Sequence, residues 1–245
     1  MNDGPGDATP TRSPRPAVTA TAVTTTVGLL AVVAVAGRAG PPGTALLLGP
    51  LGSITALLIG RAAGLRADDL GLGRRTWHTG AAWGVGCAAA VAASYAAAAA
   101  IPAVRPAFHD ARYGIDPGAA VYTALVVVPV GTVLFEEVAF RGVLWGLVRA
   151  AYGPGRATAV SSVLFGLWHV LPSLRLNRVN PAVAALVGTG RAGQVTAVAG
   201  AVAFTAAAGV VLCELRRRSG SLLAPFGAHW GTNGLGVLVT AGLSR

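Results

Sequence analysis

Val126–Val148 reads VVVPVGTVLFEEVAFRGVLWGLV, an apolar run that carries two adjacent carboxylates and one guanidinium. Glu136 and Glu137 are two of only three glutamates in the chain. An acidic or basic residue at the centre of a membrane helix costs about 2.5–3.5 kcal/mol, so these two together with Arg141 point to a polar interior or cavity. A helix end at the membrane interface, with Glu137 and Arg141 as a surface pair and Glu136 in water, is the competing reading of this segment.

Outward from this stretch, apolar runs of about 18 to 23 residues recur, each long enough to cross a hydrocarbon core of about 30 Å. Spans are expected over residues 17–37, 44–60, 80–101, 118–150, 157–171, 194–215 and 221–243, with a partial or re-entrant helix over 181–190. Gly49 and Pro50 interrupt the second as a kink that neighbours can satisfy. Composition agrees: the chain is 53% hydrophobic and only 11% charged, against roughly 25% charged in a soluble domain. The expected fold is therefore all-α, a polytopic transmembrane bundle of about seven to eight spans. It forms one domain over residues 17–245, preceded by a tail over 1–16 that is too polar and too rich in Pro and Gly to order itself.

All nineteen basic residues are arginines, and the formal net charge is +10. In a soluble protein that would suggest nucleic acid; in lipid it reports topology, and no nucleic-acid partner is expected. A cytoplasmic N-terminus places the arginines of 61–75, 149–156 and 216–218 inside, as the positive-inside rule requires, while Arg175, Arg178 and Arg191 then face out. Cys87 and Cys213 lie far apart in apolar sequence, without metal-ligand spacing, and read as inert buried thiols.

Helix geometry separates the two carboxylates. Glu137 and Arg141 are four residues apart and share a face, whereas Glu136 is turned by about 100° and is left without that partner. Two histidines also sit in apolar sequence, His169 with Phe165 one turn before it and His229 with Asn233 one turn after it. His78 and His109 lie in connections and read as solvated. A free carboxylate, two imidazoles and an amide are the inventory for turning water on a carbonyl: the carboxylate takes the proton, an imidazole positions the water, and Asn233 or a histidine stabilises the oxyanion. Glu136, His169 and His229 equally match a His/His/carboxylate zinc set. With no HExxH or other compact motif present, the residues leave both readings open.

The ordered set EExxxR (Glu136, Glu137, Arg141), FxxxH (Phe165, His169) and HxxxN (His229, Asn233) resembles the CAAX-protease and bacteriocin-processing family of intramembrane endopeptidases. The motif region covers about residues 118–240; the earlier spans agree in hydropathy alone. The resemblance implies Glu136 as catalytic base, His169 and His229 binding or polarising the water or a zinc ion, and Asn233 supporting the oxyanion. Glu137, Arg141 and Phe165 would shape the site. It further implies a multi-pass protein of the plasma membrane acting on a peptide or membrane-protein substrate among lipids. The Ala- and Arg-rich, lysine-free composition looks bacterial, a setting in which prenylated substrates are not expected. Two alternatives are a non-catalytic immunity or peptide-binding protein, which has no need of Glu136, and a proton-coupled transporter, for which repeat symmetry is lacking.

Overall fold

The computed structural model describes residues 16–41 and 43–243. The expected N-terminal tail, apart from Pro16, falls outside these residues. Among the described residues the structure is helical and contains no strand. Helix α1 (Pro16–Ala39) and α2 (Thr44–Ala62) form a hairpin, and α3 (Trp77–Ala100) follows a polar connection.

Helix α4 runs continuously over 117–152. Its first turn begins with Pro117, where a missing N–H costs nothing, and the Asp116 side chain accepts from the Ala119 amide at 3.1 Å. Two stretches, Thr123–Val133 and Glu137–Leu144, are wound as π-helix. Pro129 lies within the first, where its ring crowds the carbonyl one turn back and a wider turn relieves the clash. At Gly153 the chain takes φ 83 and ψ 170, followed by Pro154, and this break separates α4 from α5 (154–168). Only glycine adopts that backbone without strain.

Short helices Val170–Ser173, Leu176–Val179 and Pro181–Val187 then lead to α6 (Arg191–Ser219), which ends at the left-handed Gly220. Helix α7 covers 223–243. Among the described residues, five helical stretches are long and apolar enough to cross a membrane, one of which, Pro117–Ser173, holds both α4 and α5. Helix α7, expected as a span, is not among them, because Gly, His, Thr and Asn dilute its apolar character.

The connections sort to two ends. At one, Arg149 pairs with Asp69 at 2.8 Å, Arg216 donates to the carbonyls of Asp68 and Asp69 at 3.2 and 3.0 Å, and the Leu222 amide donates to Gly71 at 2.9 Å. At the other, the Ala111 amide donates to Val179 and Asn180 to the Ala107 carbonyl. The arginine-rich connections 61–75, 149–156 and 216–218 are thus gathered at a single end.

Small residues let the helices touch. A Cβ on Gly227 of α7 would fall 2.5 Å from Gly84 Cα of α3, and one on Gly49 of α2 would fall 2.1 Å from the Val130 carbonyl of α4. Gly49 therefore serves a close approach beside the proline, a role that sequence reading gave to a kink. Outward-facing Val32, Leu51, Leu58, Val85, Phe204 and Val211 are exposed, as expected of a surface solvated by lipid tails. Cys213 is buried and Cys87 half-buried, both as free thiols.

Candidate active site

The π-wound part of α4 delivers its polar side chains inward. Glu136, Glu137 and Arg141 are 4%, 1% and 0% exposed, which removes the reading of a surface pair at a helix end. Arg141 Nη1 donates to Glu137 Oε1 at 3.1 Å. The Arg141 guanidinium also stacks over the Phe165 ring, 3.9 Å from its centroid, so the charge is held by a carboxylate and a π-face together.

Helix α7 brings His229 to both carboxylates. Its position is fixed from two sides: Trp230 Nε1 donates to the Ala124 carbonyl of α4 at 2.8 Å, and the Tyr95 hydroxyl of α3 donates to the Thr232 carbonyl at 2.9 Å. His229 Nδ1 lies 2.7 Å from Glu137 Oε1, and Nε2 lies 3.7 Å from Glu136 Oε2. Glu137 is therefore shared between Arg141 and His229, a second partnership that the four-residue spacing did not disclose.

Helix α5 supplies Phe165, Trp168 and His169. Ser161 Oγ, on the same helix, donates to the Phe140 carbonyl at 3.0 Å and locks α5 to α4 beside the site. The Phe165 ring meets His169 and His229 edge-on, with centroids 4.7 and 5.6 Å away. His169 Nδ1 lies 2.8 Å from the Phe165 carbonyl. A carbonyl only accepts, so Nδ1 carries the proton and the lone pair of the neutral ring sits on Nε2. The same logic at the Glu137 carboxylate puts a proton on Nδ1 of His229, and in the neutral ring the Nε2 lone pair then faces Glu136.

Glu136 is not free, as the helical spacing suggested. Trp168 Nε1 donates to its Oε1 at 3.0 Å, while the buried Oε2 has no hydrogen-bond partner among the described residues. Trp168 was overlooked in the sequence, although a buried indole N–H needs an acceptor. Asn233, one turn beyond His229 in a π-wound stretch of α7, is exposed and shares no hydrogen bond with the carboxylates or imidazoles.

Glu136 lines a cavity of about 380 Å³ together with Phe135 and Trp168, and α1 and α2 close it through Val33, Arg38 and Leu48. Among the described residues no three His, Cys, Asp or Glu side chains are gathered as metal ligands. Glu136 and His229 supply two donors, and His169 does not complete the set, so the donor geometry does not fit the zinc ion considered from sequence.

A helical membrane protein with a buried carboxylate that lines a cavity and two oriented imidazoles packed near it has the build of an intramembrane hydrolase. Residues 118–235, just under half of the chain, match the model of the Rce1-like type II CAAX prenyl endopeptidases. Comparison with curated proteins and with solved structures gives no significant match.

Proposed function

We propose that the protein is an endopeptidase that hydrolyses a peptide bond within the membrane, with Glu136 activating the water. The observation that carries this reading is the facing pair of Glu136 Oε2 and His229 Nε2. Two acceptors 3.7 Å apart are complementary to one water that donates a hydrogen to each, which turns its oxygen lone pairs toward the cavity. Glu136 removes one proton as the oxygen adds to the carbonyl carbon. The C–N bond then breaks as the same proton passes to the leaving nitrogen. Trp168 is a positioning residue that holds the other oxygen of Glu136, and Glu137 with Arg141 orients His229.

The oxyanion of the tetrahedral intermediate falls to the Asn233 amide, because the neutral His169 turns a lone pair and not an N–H outward. Asn233 reaches it only if its exposed amide turns toward the bound peptide. The reading uses no metal. With the arginine-rich end on the cytoplasmic side, the N-terminus is cytoplasmic.

The test is cleavage of a quenched membrane-peptide library by purified protein, beside Glu136→Gln and His229→Ala. Glu136→Gln is expected to lower the rate by at least about 100-fold. Equal rates in all three proteins would end the peptidase reading. Activity that disappears with a strong chelator and returns with zinc would replace the metal-free mechanism. A protein that binds peptides tightly without cutting any would instead be the immunity or peptide-binding alternative.

A further inference from the structure

Another cavity, of about 520 Å³, opens between the start of α1 and the corner where α4 breaks into α5, and it shares no wall residue with the Glu136 cavity. Its polar wall residues are Thr19 and Thr24 of α1, Tyr152 of α4 and Arg156 of α5; the rest of the wall is apolar, with Val23, Val148 and Val160 among its members. Arg156 belongs to the connection 149–156, so the cavity lies at the arginine-rich end of the bundle.

The groups around this cavity call for an anion. Of the five threonines of α1, Thr21, Thr25 and Thr26 return their hydroxyls to a carbonyl one turn back at 3.1, 2.9 and 2.8 Å. The two that line the cavity do not. Thr24 makes no hydrogen bond among the described residues, and Thr19, only 1% exposed, keeps a buried hydroxyl without a partner among them. The cost of such an orphaned hydroxyl is recovered when a ligand supplies the acceptor. Arg156 has no acidic partner among the described residues. It also stands in the first turn of α5, where the helix dipole disfavours a cation, and Gly153 at the break has no side chain to cap the free amides there. An anion seated at this point satisfies the guanidinium, the helix end and the hydroxyl together.

We propose that this cavity binds an anionic phospholipid, its phosphate held by Arg156, the first amides of α5 and the Thr19 hydroxyl, and its acyl chain laid along Val23, Val148 and Val160. Free phosphate offers the same headgroup chemistry. The apolar part of the wall decides between them, because Val160 is exposed and an acyl chain, unlike an ion, gains by covering it. Tyr152, also exposed, suits the interfacial level at which headgroups lie. With α1 on one side and α4 and α5 on the other, the bound lipid bridges the N-terminal hairpin to the helix that carries Glu136. The site is independent of the peptidase reading.

The experiment is native mass spectrometry of the purified protein in neutral detergent micelles, titrated with phosphatidylglycerol, phosphatidylcholine or inorganic phosphate. Phosphatidylglycerol is expected to bind about tenfold tighter than phosphatidylcholine. Arg156→Gln should remove that preference, Arg156→Lys should keep part of it, and Arg75→Gln, which deletes the same charge at the same end, should leave it intact. Thr19→Val should weaken phosphatidylglycerol binding by about threefold or more, yet leave the lipid-free unfolding midpoint at or above the parent value, since it removes the orphaned hydroxyl at nearly constant shape. Equal binding of the two lipids, a preference that survives Arg156→Gln or falls as far in Arg75→Gln, or an affinity unmoved by Thr19→Val overturns the proposal. Inorganic phosphate that displaces phosphatidylglycerol at matching concentration points to a site for a free anion and also overturns it.

Discussion

The Glu137–Arg141 pair is the place where the structure makes its sharpest energetic statement. Both side chains are fully buried, and Glu137 Oε1 accepts from Arg141 Nη1 and faces His229 Nδ1. Replacing one member by methionine leaves the other charge buried without compensation, at a cost of about 3–5 kcal/mol. For a chain of this length that lowers the unfolding midpoint by on the order of 10 °C. Replacing both removes the stranded charge. What remains is the orphaned His229 N–H, about 1–3 kcal/mol, because Arg141 Nε, Arg141 Nη2 and Glu137 Oε2 already lack hydrogen-bond partners. A cycle of Glu137→Met, Arg141→Met and the double variant should thus show coupling of at least about 3 kcal/mol. Reversible unfolding in mixed micelles, followed by tryptophan fluorescence, measures it. Single variants within about 1 kcal/mol of the parent, as for a surface pair, or losses that add in the double, would refute the reasoning.

Three further outcomes follow from other parts of the molecule. Trp168→Phe keeps the aromatic packing and loses the bond to Glu136, so kcat should fall about tenfold with KM near the parent value, and the orphaned acceptor should cost about 1–3 kcal/mol of stability; an unchanged kcat removes Trp168 as a positioning residue. Gly227→Ala inserts a methyl against the Gly84 backbone and should destabilise the protein by about 1–3 kcal/mol, with thermal unfolding as the check. Burial alone raises the Asp110 pKa, but the Arg112 bonds outweigh it and the net value lies below 3.8. Its stabilising contribution is therefore present above 3.8 and is lost as pH falls through the depressed value. Since Arg112 is 42% exposed, that contribution is below about 1 kcal/mol. Asp110→Asn should flatten this small acid-induced drop in midpoint, and identical pH curves would remove it.

Much of the architecture was legible because lipid imposes a simple rule: a backbone without water must form helices of spanning length. The apolar runs accordingly locate α1 to α6 to within a few residues. Polar residues in such runs stand out by their cost, which singled out Glu136, Glu137, Arg141, His169 and His229 before any coordinates. Their partners were less legible. Periodicity gives the face of a residue on its own helix and says nothing about the helix opposite, so His229 beside Glu137 and Trp168 beside Glu136 could not be paired from spacing. The π-wound turns of α4 and α7 further altered the angles that an ideal α-helix assigns.

The walls of the Glu136 cavity come from two portions of the chain. Its chemistry belongs to the region shared with the endopeptidase family, residues 118–235, whereas Val33, Ala34, Gly37, Arg38, Ala45 and Leu48 lie in the N-terminal hairpin outside it. On the peptidase reading, the reacting groups and part of the wall around them are thus written in separate portions of the polypeptide. Exchange of the first two helices is then expected to alter which peptides are cut while leaving the reacting groups in place, a modular route by which one catalytic apparatus can acquire new clients.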